Sequence, residues 1–123
     1  AVKEARYHRE HAADWVVRLG DGTDESTRRM ARALERLWPY CAELFDADET
    51  DREAAAQGLG PAWSALEEAW RADVSAVLDE AGMALPADSA FRSDGKRGRH
   101  SEHMGRLLAE MQYLHRAFPG GVW

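Results

Sequence analysis

Apolar residues recur at alternating spacings of three and four along most of this chain, and nowhere do they alternate with polar ones as a half-buried strand requires. In the first segment Ala5, His8, Ala12, Trp15 and Leu19 make one stripe of a helix, which Gly20 closes. Thr23 is a good N-cap for the next helix, and Asp24 and Glu25 place negative charge on its positive end. That helix carries the stripe Thr27, Met30, Leu34, Leu37, Cys41 and Leu44. Pro39 lies inside it and predicts a kink or break near Trp38. The tight connection Gly20-Asp21-Gly22-Thr23 makes the two helices antiparallel neighbours, a hairpin over 1–45.

Residues 46–60 are polar and acidic around an Ala triplet and read as a linker with one helical turn. Pro61 fits the first turn of a helix over 61–82, with stripe Trp63, Leu66, Trp70, Val74, Val77 and Ala81 and a stop at Gly82. Residues 83–100 form a loop, turn-rich and locally basic from Pro86 to Arg99; loops of that length are usually functional or mobile. A last helix over 101–118 has the stripe Met104, Leu107, Met111, Leu114 and Phe118, and Pro119-Gly120-Gly121 ends it. The pattern therefore predicts an all-α chain of about four helices without internal repeats.

Composition narrows the class. A length of 123 residues suits one domain, and 45% hydrophobic residues exclude a disordered chain. Asp and Glu number 22 against 16 Lys and Arg, a net charge of -6, which argues against nucleic acid or an anionic membrane as partner. No apolar run approaches the ~20 residues of a membrane span, and the first ten residues lack a signal core. The single cysteine, Cys41, forms no internal disulfide, so a cytoplasmic location is expected. It falls on an apolar stripe, where a buried, inert thiol is the usual case. Five Trp is a heavy load for this length, and Trp15, Trp38, Trp63 and Trp70 are expected on packing faces.

Three groups of residues carry candidate chemistry. Glu4, His8 and His11 share a helix face and offer carboxylate and imidazole to a metal. Ferritin-like diiron bundles need Glu-x-x-His, however, and here Tyr7 follows Glu4, Thr27 closes Asp24-Glu25-Ser26-Thr27 and Tyr113 follows Glu110. No Glu-x-x-His occurs in the chain, so the three are degenerate metal candidates and no metal site is expected. The plainer expectation makes His8 a hydrogen-bonded interior histidine and pairs the carboxylates with Arg. His100 and His103 flank Glu102 at a helix start and suit a cap or interface role. Arg92, Lys96, Arg97 and Arg99 cluster in a loop that leads to a helix N-terminus, so Arg97, Arg99 and His100 are weak candidates for phosphate or partner contact. Phosphate-loop, dinucleotide and nucleophile-elbow motifs are missing, and no catalytic residue emerges.

Two stretches add a resemblance. The first is Trp15-Val16-Val17-Arg18-Leu19-Gly20-Asp21-Gly22-Thr23, with Arg28-Arg29-Met30, Leu37-Trp38-Pro39-Tyr40 and Glu43-Leu44-Phe45. The second is Gly98-Arg99-His100-Ser101-Glu102-His103-Met104-Gly105, with Leu108-Ala109-Glu110-Met111-Gln112 and the ending Pro119-Gly120-Gly121-Val122-Trp123. Together they resemble the PaaC family, subunits of the bacterial phenylacetyl-CoA ring-epoxidase. The resemblance covers the whole chain, places it in the C-terminal half of such a subunit, and makes Trp123 the family's own end.

The resemblance implies a ferritin-like helical bundle, here its C-terminal half. It implies a non-catalytic structural subunit, with no cofactor of its own, beside a PaaA-like subunit that holds the diiron centre and the substrate. That complex would use dioxygen and reductase electrons in aerobic phenylacetate degradation. Because the helix pattern starts without a cap before Ala1, the chain is expected to be a fragment or half-length protein. Its uncovered hairpin predicts that two copies pair about a two-fold axis and rebuild a four-helix bundle. The alternatives are a metal-binding ferritin-like enzyme using Glu4, His8 and His11, or an unrelated helical interaction module.

Overall fold

The computed structural model describes residues 1–122; Trp123, the expected family terminus, lies outside the described residues. The chain is all-α. Helix α1 spans Val2–Gly20, α2 Asp24–Leu37, α3 Glu49–Ala56, α4 Glu67–Glu80, α5 Glu102–Met111 and α6 Tyr113–Ala117. Short 3₁₀ segments cover Trp38–Phe45, Trp63–Leu66 and Gly95–Arg97. The chain divides into two compact units, residues 1–92 and 93–123.

In the first unit, local chemistry fixes the helix ends. The Thr23 hydroxyl accepts from the Ser26 N–H at 3.2 Å while the Ser26 hydroxyl accepts from the Thr23 N–H at 2.9 Å, a reciprocal cap for α2. Thr27 donates its hydroxyl to the Gly20 carbonyl at 2.7 Å and ties the end of α1 to the start of α2. Pro39 cannot continue the α-helical ladder, and α2 passes into the 3₁₀ segment at Trp38. Gly82, at φ 67, ends α4, and the Met83 N–H reaches back to the Leu78 carbonyl at 2.8 Å. That bond is the outer one of a Schellman cap, and it carries Met83 down onto Leu78.

The core sits where α1, α2 and α4 meet. Leu78, Ala81 and Met83 are buried there, with Val16, Val17, Met30, Ala31, Leu34 and Val74 packed round them. Gly20 lets α1 approach α4 closely.

The structure departs from the pattern at four places. In α1 the expected stripe of Ala5, His8, Ala12, Trp15 and Leu19 is exposed; Ala13, Val16, Val17 and Gly20 face the neighbouring helices instead. Small residues there permit a close approach that Trp15 would block. Residues 46–60, expected as a linker, hold α3, whose start Asp48 and Asp51 cap reciprocally. The helix expected over 61–82 begins as a 3₁₀ turn and becomes α-helical only at Glu67.

In the second unit the helix expected over 101–118 is interrupted at Gln112. Leu107, Met111, Leu114 and Phe118 stay exposed, and among the described residues of this unit there is no other long helix to cover them. Among the described residues there is no strand, only an isolated bridge between Asp94 and Arg99.

Candidate functional site

The most developed side-chain arrangement lies where the 3₁₀ segment leaves α2. Trp38 is buried at 5% exposure, and its ring stacks on Trp70 of α4 at 5.6 Å. Phe45 meets Trp70 edge-on, with ring centres 5.3 Å apart. The break at Pro39 makes this possible, since it turns Phe45 back toward α4 instead of carrying it along α2. The Arg71 guanidinium lies 5.8 Å from the Trp38 ring centre, placed for a cation–π contact.

Arg71 is held from two directions. Its Nε donates to Glu67 Oε1 at 2.9 Å, one helical turn back. Its terminal nitrogen donates to Asp88 Oδ1 at 3.0 Å. The bond to Glu67, then that to Asp88, raises the guanidinium further above its ordinary value. Beside it a cavity of about 350 Å³ is lined by Phe45, Ser64, Trp70, Arg71, Ser89 and Arg92 among others. Arg92 turns its guanidinium onto its own loop, donating to the Ser89 carbonyl at 2.6 Å and the Phe91 carbonyl at 2.9 Å. Phe91 meets Tyr40 edge-on at 5.2 Å. These contacts strap the segment after α4 onto the 3₁₀ segment.

Cys41 also lines this cavity. Burial pushes its thiol up from the ordinary 9.0, and the Arg71 charge offsets part of that. It is half-buried rather than fully enclosed, and a thiol held protonated is a poor nucleophile. The arrangement has an aromatic wall and a fixed cation but no paired nucleophile and base.

A second hollow, of about 680 Å³, separates α2 from the segment after Gly82, between Ala31, Leu34, Met83 and Leu85.

The expected metal candidates assemble only in part. His8 Nε2 lies 3.7 Å from Glu4 Oε2, with both side chains more than two thirds exposed, so His8 is not an interior residue. The His11 ring is taken up by Tyr7, stacked at 6.0 Å, and by Trp15, edge-on at 6.4 Å. Among the described residues no group of three or more His, Cys, Asp or Glu is placed to hold a metal ion.

The basic candidates divide between the two units. Arg92 belongs to the first and Lys96, Arg97 and Arg99 to the second. Arg97 pairs with Asp94 at 3.1 Å, and the Arg99 N–H bonds the Asp94 carbonyl at 3.0 Å. His100 and His103 are exposed; the Ser101 side chain makes no cap to α5.

The pattern picked out Trp38 and Trp70 but passed over Arg71, Glu67 and Asp88. Glu67 and Arg71, four apart on a helix, carry the usual sequence signal of an ion pair. Asp88 gives no such signal, since only the turn at Gly82 brings it within reach.

Comparison with known proteins agrees along the whole length. The sequence profile of the family described as phenylacetic acid catabolic protein, PaaA_PaaC, matches residues 1–123. The C subunit of the 1,2-phenylacetyl-CoA epoxidase of Escherichia coli (strain K12) is 47% identical over 123 residues, all of this chain and 50% of that protein. The chain thus spans half the length of this curated relative.

Proposed function

The chain belongs to the phenylacetic acid catabolic protein family and is homologous to the C subunit of phenylacetyl-CoA epoxidase, and from that premise we propose that it is a non-catalytic structural subunit of such an epoxidase. The chemistry then resides in a PaaA-like partner subunit, which holds the diiron centre and takes phenylacetyl-CoA. This chain contributes helical surface that supports the partner, within a ferritin-like arrangement, in the cytoplasm. No helix among the described residues is long and apolar enough to cross a membrane. Copies of the chain also associate with one another.

One observation carries the reading: the similarity to this epoxidase relative spans the whole chain. Exposed apolar side chains support a partner-bound life. Within the first unit Leu37 and Leu44 are 64% and 52% exposed, and within the second Leu107 and Met111 are 54% and 70% exposed. Apolar side chains left open in this way suit contact with a partner. The whole-chain family match also sets aside the unrelated helical module.

The test is co-expression with a PaaA-like catalytic subunit, followed by affinity purification and iron analysis. The expected result is a stable complex whose iron stays with the catalytic subunit when the two are separated. Stoichiometric iron on this chain, lost in His8→Ala, would overturn the reading in favour of a metal-binding enzyme. So would failure of the two chains to associate.

A further inference from the structure

Helix α1 has two faces with opposite fates. Ala13, Val16, Val17 and Gly20 face its neighbours, and Arg9 reaches Asp73 of α4 at 2.9 Å. At about 100° per residue, Glu4, Tyr7, His11, Trp15 and Arg18 fall on the opposite side. All five are exposed. They are nevertheless ordered among themselves. Tyr7 stacks on His11, His11 meets Trp15 edge-on, and the Arg18 guanidinium sits 5.8 Å from the Trp15 ring centre.

We propose that this ladder is a self-complementary seam through which α1 pairs antiparallel with α1 of a second copy of this chain, with His11 at the two-fold axis. Spacing and charge along α1 both favour this pairing. Tyr7 and Trp15 lie equally far from His11, on either side, and so do Glu4 and Arg18. At about 1.5 Å per residue, a two-fold axis at His11 sets Glu4 level with Arg18 of the second copy, about 10.5 Å from the axis. The symmetry makes that acid–base pair twice. Tyr7 comes level with Trp15 of the second copy, so aromatic surface meets aromatic surface. A parallel pairing would set Glu4 against Glu4 and Arg18 against Arg18. The charge pattern is therefore its own complement in one orientation only, which favours a second copy over an unlike partner. This deepens the self-association proposed above and rests on it, but not on the epoxidase assignment.

Sedimentation equilibrium on the 123-residue chain tests the seam, with helicity followed by circular dichroism. The unaltered chain forms a concentration-dependent dimer. Glu4→Arg and Arg18→Glu each raise its dissociation constant roughly tenfold, because each turns two attractions into repulsions. The double variant Glu4→Arg/Arg18→Glu restores the dimer, and since it carries both substitutions its recovery excludes misfolding as the cause of the single losses. A chain that stays monomeric at every concentration overturns the self-association and the seam together. A dimer indifferent to both single reversals, or not restored in the double variant, leaves self-association standing and overturns the seam.

Discussion

A Cβ on Gly20 would lie 2.8 Å from the Cβ of Ala81 and 2.9 Å from the Ala81 carbonyl oxygen. Neither neighbour is the end of a flexible side chain, so neither can swing away. Gly20→Ala is therefore expected to force α1 and α4 apart at the core. Overpacking of this kind costs about 1–3 kcal/mol, against which the better helix propensity of Ala returns less than ~1 at a helix end. A net loss of about 1–2 kcal/mol in urea denaturation is the expected result. Unchanged stability would mean that the two helices are not held this closely.

Trp38 and Trp15 provide a contrast within one residue type. Trp38 is 5% exposed and stacked on Trp70, whereas Trp15 is 48% exposed. Trp38→Ala should cost about 3–5 kcal/mol, the usual range for emptying a buried aromatic site. Trp15→Ala should cost the isolated fold less than about 1 kcal/mol, since little packing is lost. Its effect should appear in self-association instead. Thermal unfolding at low and high protein concentration separates the two.

That contrast shows what the sequence made legible. Punctuation residues were readable because their chemistry is local: Thr23 caps, Pro39 breaks and Gly82 stops, each through its own backbone preference. The choice of buried face on α1 was not local. Trp15 and Leu19 make the larger apolar stripe, yet Ala13 and Gly20 win the packed side because small residues allow close approach. In α5 the stripe was readable but its exposure was not, since nothing local to the stripe tells that the described residues from 93 onward hold no other long helix to cover it. The metal candidates show the same limit. Glu4 and His8 do meet, as their spacing foretold, but nothing in the spacing revealed that His11 would be engaged by Tyr7 and Trp15.

Arg71 joins three separate elements: Glu67 on its own helix, Asp88 beyond Gly82 and the Trp38 ring. A planar guanidinium can satisfy all three at once, and an ammonium cannot. Arg71→Lys is therefore expected to lose the Asp88 contact and the stacking while keeping the charge. The side chain is about one third exposed, so solvent screens part of the loss, and about 1 kcal/mol is expected. Proteolytic susceptibility of residues 83–92 should rise in the same variant, because Asp88 is one of the points that straps them. A Lys variant as stable and as protease-resistant as the parent would show that charge alone suffices.

Cys41 supplies the pH dependence. Burial raises its thiol above the ordinary 9.0, and the Arg71 charge takes back only part of the rise. The unfolded chain therefore loses this proton at a lower pH than the folded chain does. Below the unfolded value both states hold the proton, and the fold keeps its full stability. Between the unfolded and folded values the unfolded state binds fewer protons, so stability falls as pH rises. Denaturant midpoints measured from pH 7 to 10 should decline from about pH 9 upward, and Cys41→Ala should flatten the part due to the thiol. Reaction with a disulfide reagent at pH 8 should be slower in the folded chain than in denaturant, because less thiolate is present and the sulfur is half-covered. Arg71→Met should slow that reaction further by removing the charge that favours the thiolate. An alkaline decline identical in the Cys41→Ala chain, or a folded thiol as reactive as a free one, would remove Cys41 as the cause.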